Sequence, residues 1–274
     1  MLLDRNAAAG ELARQKLQAE TGAEVEFAAL DLGSLGSIRE FAQHWASGGR
    51  VLDVLVNNAG LLPPLQRAQT DEGLELGFGV SVAGHFALTG LLLPALLRSP
   101  EARVVTTSSI AHRSGHIDFD DLGMKHDYDP TRAYANAKLA ALVHALELER
   151  RARQAGSRLR SMAAHPGIAR TSIGNSWSDT PPTRLRDRLA RLALDGAMRW
   201  LSQSAEQGAA PLLHAASAPD ADGGAYYGPS GFMHWRGGPT RVTPSARARD
   251  AAAGARLWDA LETLTQVRYP WSTA

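Results

Sequence analysis

The sequence predicts an α/β fold, a doubly wound parallel sheet covered by helices on both faces, in a single domain over residues 1–274. Three observations predict it. Short apolar runs of strand type alternate with longer stretches of helical composition. These runs stop at small or polar residues, namely Asp4-Arg5, Asp31, Asn57 to Gly60, Ser109 and Pro166-Gly167. Ligands of open parallel sheets sit just there, beyond the carboxyl ends of the strands. Finally, no internal repeat, linker or low-complexity tract divides the chain.

Residues 1–3 form an apolar run closed by Asp4-Arg5-Asn6, and residues 7–20 follow with helical composition as far as Thr21-Gly22. Residues 25–30 read as a strand ending in Asp31-Leu32. Ser34 opens a helix with Ile38, Phe41, Ala42 and Trp45 on one stripe, stopped by Gly48-Gly49. Residues 51–56, apolar except for Asp53, run into Asn57-Asn58-Ala59-Gly60, the pattern of a strand buried on both faces. A Pro-broken loop over 61–69 leads to a helical region over about 71–97. Val104-Val105-Thr106-Thr107 is the next buried strand, ending at Ser108-Ser109. Residues 111–130 are loop, a helix over 133–148 frays into Arg150-Arg151-Ala152-Arg153, and residues 159–164 form a strand closed by His165-Pro166-Gly167. A polar stretch and the leucine stripe Leu185, Leu189, Leu192, Met198 and Leu201 read as a flap on the substrate side, residues 170–203. Ser204 with Gln207 forms a capping box for another helix. Residues 224–229 make a last strand and turn, and residues 245–267 a final helix.

Composition narrows the function classes. A formal net charge of +1 provides no electrostatic footprint for nucleic acid or an anionic membrane. The absence of cysteine excludes disulfides and thiolate metal sites and suits a reducing cytoplasm. The most apolar run, residues 88–97, holds Gly90 and Pro94 and is too short to span a bilayer. Met1-Leu2-Leu3 meets Asp4-Arg5-Asn6 with no signal-peptide pattern, so a cytoplasmic location is expected. The richness in Ala and Arg points to a bacterial source. The histidines form no HExxH pattern and the carboxylates no ligand set, so no metal is expected.

Tyr134-Ala135-Asn136-Ala137-Lys138 carries the chemistry. Side chains four apart on a helix share a face, roughly 5–6 Å apart at Cβ. A phenol titrates near 10, and a fixed ammonium beside it favours the phenolate. A tyrosine so tuned can pass a proton to or from a substrate oxygen. Of the 29 Lys and Arg residues only Lys16, Lys125 and Lys138 are lysines. Arginine serves wherever bulk positive charge suffices, and cannot easily replace a compact ammonium.

The ordered set Asp31-Leu32, Asn57-Asn58-Ala59-Gly60, Ser108-Ser109, Tyr134-x-x-x-Lys138 and Pro166-Gly167-x-x-x-Thr171 resembles the short-chain dehydrogenase/reductase family over nearly the whole chain. Residues 80–97, Ser109-Ile110-Ala111-His112 and Tyr226-Tyr227-Gly228-Pro229 resemble its retinol-dehydrogenase-like branch, and the tail from Arg256 to Thr265 resembles bacterial members. The resemblance implies a Rossmann-like sheet and NAD(P)-dependent interconversion of an apolar alcohol and its aldehyde or ketone. It assigns Tyr134 as proton donor or acceptor, Ser109 as the holder of the substrate oxygen, and Lys138 to the nicotinamide ribose and the tyrosine pKa. Asp31 and Leu32 would meet adenine; Asn58, Ala59 and Gly60 would line the adenosine side; Pro166, Gly167, Ile168 and Thr171 would sit at the nicotinamide. Asp4 suits a ribose 2′-hydroxyl and Arg5 a 2′-phosphate, which inclines the expectation to NAD over NADP. The expected partner is a small apolar molecule, with a homo-oligomer possible.

Two departures stand out. Ser81, in Val80-Ser81-Val82-Ala83-Gly84-His85-Phe86, occupies the position where the family carries a catalytic Asn. No glycine-rich phosphate loop precedes Asp4, and Gly33-x-x-Gly36 follows the wrong strand. The expectation is a sheet incomplete at its amino end, with a strand, a glycine turn and a helix ahead of Met1, a gap between the first strand and residues 51–56, and weak cofactor binding. The alternative is a divergent, non-catalytic Rossmann-like protein.

Overall fold

The computed structural model describes residues 1–169 and 202–271. The leucine stripe of the expected flap lies outside the described residues, as does Thr171.

Strand β1 (Leu2–Asp4) pairs in parallel with β2 (Phe27–Ala29), Leu2 opposite Phe27 and Asp4 opposite Ala29. Between them runs α1 (Ala7–Thr21), opened by the Asn6 side chain accepting from the Ala9 N–H and closed by Gly22 at a φ of 68°, where an L side chain is disfavoured. Helix α2 (Leu35–Ser47) buries the expected stripe of Ile38, Phe41, Ala42 and Trp45. A second sheet contains β3 (Val54–Asn57), β4 (Arg103–Thr107), β5 (Arg160–Ala164), β6 (Tyr226–Pro229) and β7 (Pro239–Arg241) in that order. The first four are parallel, and β7 returns antiparallel to β6. The expected strands are all present.

Two expectations need correction. Residues 51–56 were expected to be buried on both faces, but in β3 only Leu55 and Asn57 are buried, while Val54 and Val56 are 37% and 42% exposed. The pleat sends alternate residues to opposite sides, and only the side bearing Leu55 and Asn57 meets the helical layer. The ladders also fall into two sheets, with β1 paired to β2 and β3 paired to β4; no ladder joins β1 to β3. The gap expected between these strands is thus a break in hydrogen bonding.

Helices cover both faces of the second sheet. On one face Val104, Ala163 and Tyr226 join the main core with α3 (Leu76–Leu97), α4 (Pro130–Gln154) and α6 (Ala251–Thr265). On the other, Val105, Met162, Ala164 and Tyr227 pack with Ala215 of α5 (Ala205–Ser217), which opens on the expected capping box of Ser204 and Gln207. Helix α3 is long and apolar enough to cross a membrane, more than the sequence reading allowed, yet it lies mostly buried as a core helix. It starts where Glu75 accepts from the Gly77 and Phe78 N–H groups and carries a π-helical turn over Gly79–Gly84.

Candidate active site

The carboxyl ends of β3, β4 and β5 gather the predicted residues. Helix α4 is set by Asp129, which accepts from the Arg132 N–H at 2.7 Å, with Pro130 in the first turn. One turn in, Tyr134 is half-buried, and Lys138, 5% exposed, follows on the same face. Ser108 fastens this helix to the end of β4 by donating to the Lys138 carbonyl at 2.8 Å. Ser109 follows in extended conformation, and its Oγ accepts from the Ala111 N–H as the chain enters the short 3-10 turn Ile110–Arg113. The Ser109 side chain lies beside the Tyr134 phenol closely enough to lower its pKa.

Lys138 Nζ donates to the Thr107 carbonyl at 3.3 Å and stands 5.9 Å from the centre of the Tyr134 ring. A Cβ on Gly60 would lie 2.9 Å from Lys138 Nζ and 3.5 Å from Ser81 Oγ, so the end of β3, the π-helical turn of α3 and α4 converge on one point. Ser81 is 3% exposed, and its Oγ is buried without a hydrogen-bond partner. A hydroxyl left so is costly unless something polar comes to meet it.

The electrostatics revise one expectation. Lys138 was expected to lower the tyrosine pKa, but burial dominates and pushes the Tyr134 phenol up, with the neighbouring Ser109 side chain pulling the other way. Lys138 itself is drawn down to about 8 by burial.

The residues assigned to the cofactor follow successive strand ends. Asp4 and Arg5 are exposed at the end of β1, where an Asp4 carboxylate oxygen accepts from the Asn6 N–H. Asp31 and Leu32 follow β2, Asp31 holding the Gly33 N–H at 2.7 Å and Leu32 approaching Gly84 closely. Asn58 and Ala59 are exposed and Gly60 half-exposed beyond β3, with the Thr107 hydroxyl donating to Asn58 Oδ1. Pro166, Gly167 and Ile168 follow β5. Gly167 has a φ of 66° and passes within 2.2 Å, measured from a notional Cβ, of the Trp235 carbonyl, a fit only glycine allows. The nicotinamide half of a dinucleotide is well matched here, since the Gly60 cradle, the buried ammonium and the orphaned Ser81 hydroxyl offer polar partners around one small space.

Sequence reasoning missed several supports. Trp235 accepts from the Ile168 N–H at 2.8 Å, and Gln203 donates to the Pro166 carbonyl at 2.8 Å. His112 binds the Ser109 carbonyl at 2.7 Å. These partners are 37 to 67 residues from the elements they hold, apart from His112, so no local pattern announces them.

Comparison with known proteins follows the same lines. The profile described as short chain dehydrogenase matches residues 1–182. The chain is 38% identical over 259 residues to polyprenol dehydrogenase of Mus musculus, covering 91% of this chain and 71% of that protein. It is 38% identical over 233 residues to retinol dehydrogenase 13 of Homo sapiens, covering 84% of this chain and 65% of that protein. An uncharacterized protein from Mycobacterium Paratuberculosis superposes with a TM-score of 0.74 at 38% identity, covering 98% of this chain and 84% of the other. A short chain dehydrogenase from Escherichia coli, complexed with NADPH, superposes with a TM-score of 0.51 at 28% identity, covering 66% and 71%.

Proposed function

The chain belongs to the short-chain dehydrogenase family, in its retinol-dehydrogenase-like branch, and from there we propose that it interconverts an apolar alcohol and its aldehyde or ketone with NAD(P). The observation that carries this reading is the buried Lys138 ammonium 5.9 Å from the Tyr134 ring on α4, which Ser108 fastens to the strand end that bears Ser109. The nicotinamide supplies the site that gives or takes hydride. Tyr134 gives its phenolic proton to the carbonyl oxygen in reduction and takes a proton from the alcohol in oxidation. Ser109 holds that same oxygen. Lys138, with a pKa of about 8, is charged at neutral pH and stabilises the phenolate as it forms. Asp31, Leu32, Asn58, Ala59, Gly60, Lys138, Pro166, Gly167, Ile168 and Thr171 hold the cofactor, and Asp4 favours NAD over the NADP that Arg5 would admit. The substrate class is supported by the polyprenol and retinol named for the two relatives.

The test is Tyr134→Phe, assayed by NAD(P)H absorbance with long-chain and isoprenoid alcohols and aldehydes. Turnover is abolished while the fold and cofactor affinity persist; wild-type rates in that variant would overturn the mechanism.

The broken sheet favours a second reading, a scaffold that holds the cofactor too weakly for catalysis. Among the described residues no glycine-rich turn stands between a strand and a helix to cradle a pyrophosphate. Fluorescence titration of the 274-residue chain with NADH and NADPH separates the two. Saturation in the micromolar range excludes the scaffold reading, and failure to saturate supports it.

A further inference from the structure

His112 has no place in the proton chemistry above, yet it is 1% exposed and lies directly behind Ser109. Its Nδ1 faces the Ser109 carbonyl at 2.7 Å, and its Nε2 faces the Ser245 N–H at 3.3 Å. A carbonyl oxygen only accepts and a backbone N–H only donates, so these two neighbours fix the ring as the neutral tautomer with the proton on Nδ1. Tyr226 closes the remaining side, its ring edge-on to the imidazole at 5.4 Å and its hydroxyl 3.4 Å from the same Ser109 carbonyl. Two residues beyond Ser245, Arg247 donates to the Gly115 carbonyl at 2.8 Å, so the segment leading into α6 grips the loop after β4 at both ends. Burial holds His112 below the usual histidine range, in keeping with a ring whose acceptor nitrogen is in use.

We propose that His112 is a positioning residue that, by holding the Ser109 carbonyl, aims the Ser109 hydroxyl at Tyr134. Ser109 has its Oγ two bonds from the Cα of a backbone whose carbonyl is pinned by His112, and its own side chain accepts from the Ala111 N–H at 3.2 Å. Releasing the carbonyl lets the peptide after Ser109 rotate, which carries the Ala111 N–H away from Oγ and frees the hydroxyl to turn off the phenol. The inference rests on the roles given above to Ser109 and Tyr134.

Three substitutions separate its two contacts. In His112→Asn the carboxamide nitrogen takes the place of Nδ1 and still reaches the Ser109 carbonyl, but not Ser245. In His112→Gln the longer side chain brings its oxygen to the place of Nε2 and serves Ser245 alone. His112→Phe serves neither. The readout is the Tyr134 titration followed by ¹³Cζ-tyrosine NMR, assigned with Tyr134→Phe, which needs neither substrate nor turnover. Ser109→Ala raises the Tyr134 pKa by removing the hydroxyl that now lowers it. His112→Gln and His112→Phe produce a similar rise, His112→Asn stays at the wild-type value, and Ser109→Ala combined with His112→Gln adds nothing further. In turnover the same variants lose kcat by about tenfold with unchanged cofactor affinity, the scale of one displaced hydrogen bond, and Asn restores it. The proposal is overturned if His112→Gln leaves the Tyr134 titration unchanged while Ser109→Ala shifts it, or if Asn and Gln behave alike. A normal tyrosine titration pattern in a wild-type chain without turnover would instead count against the proposed activity and leave the positioning role standing.

Discussion

Ser81 stands where the family resemblance implies a catalytic asparagine. Its hydroxyl is buried, unpartnered, and on the same side of Gly60 as the Lys138 ammonium, the place from which a relay to the lysine would act. A serine reaches less far than an asparagine and carries one donor where the amide has two. Ser81→Asn should raise kcat several-fold with little change in KM, measured by steady-state kinetics on an apolar aldehyde; an unchanged or lower rate would count against a relay through this position. Lys138 sets the pH limit of the same site. Burial brings it to about 8, so the ammonium is lost as pH rises through that value, well below where an exposed lysine would titrate. Catalysis that needs the charged lysine should therefore decline above about pH 8, in a kcat–pH profile absent from Lys138→Met, whose low residual rate stays flat over that range.

At the scale of elements, the site depends on how α3 is held. Gly90 on that helix is a notch for the carboxyl-terminal segment, since a Cβ there would come within 2.5 Å of the Tyr269 ring and 2.7 Å of Val267. Tyr269 is buried, donates to the Phe86 carbonyl at 2.8 Å, and packs against Phe86 and Trp258 at 4.8 and 4.5 Å. Gly90→Ala gains about 1 kcal/mol of helix propensity but costs about 1–3 kcal/mol by overpacking and strands the tyrosine hydroxyl. The clash wins, and thermal melting should fall by several degrees, non-additively with Tyr269→Phe; a stabilised Gly90→Ala would show that the segment is not seated here. The sequence made the notch invisible, because Gly90 and Tyr269 are joined only by the fold. The same limit explains other differences. Tyr134 and Lys138 were legible because four-residue spacing on a helix is local, and Ser109, Gly60 and Gly167 because each follows its own strand. The π-helical turn over Gly79–Gly84 alters hydrogen-bond register without altering composition, so the helix around Ser81 read as ordinary. The outward-facing Val54 and Val56 read as buried because an apolar run does not say whether both faces find a cover. His112 meets Ser109 within its own turn, but its other partner, Ser245, lies 133 residues further along the chain, which no spacing rule reports.

Across the whole molecule, the core has accepted several imidazoles that it can hold only uncharged. Burial lowers His85 to about 3, His144 to about 4 and His165 to about 3, each 2–3% exposed. His144 lies among Phe86, Trp258 and Tyr269; His85 binds the Ser81 carbonyl; His165 holds the Gly167 N–H at 3.2 Å beside Tyr226. In the unfolded chain all three titrate near 6.5. Above that pH neither state carries the protons and the three contribute nothing to a pH slope. Below it the unfolded chain takes up protons that the folded chain refuses, so stability falls continuously until the folded values near 4 and 3 are reached. Each such group costs about 1.4 kcal/mol per pH unit, so together they approach about 4 kcal/mol per unit around pH 5, a large part of an ordinary domain's stability. Glu75, raised by its own burial, opposes this only near the carboxylate range. Urea denaturation midpoints should accordingly be level between about pH 8 and 7 in this respect and drop steeply from 6.5 to 5. His144→Phe keeps the aromatic packing and removes one of the three protons, so its midpoint should fall by about a third less over the same interval. A wild-type midpoint that is flat between pH 7 and 5, or a His144→Phe slope equal to the wild type's, would mean that these rings find protons, and water, in the folded core.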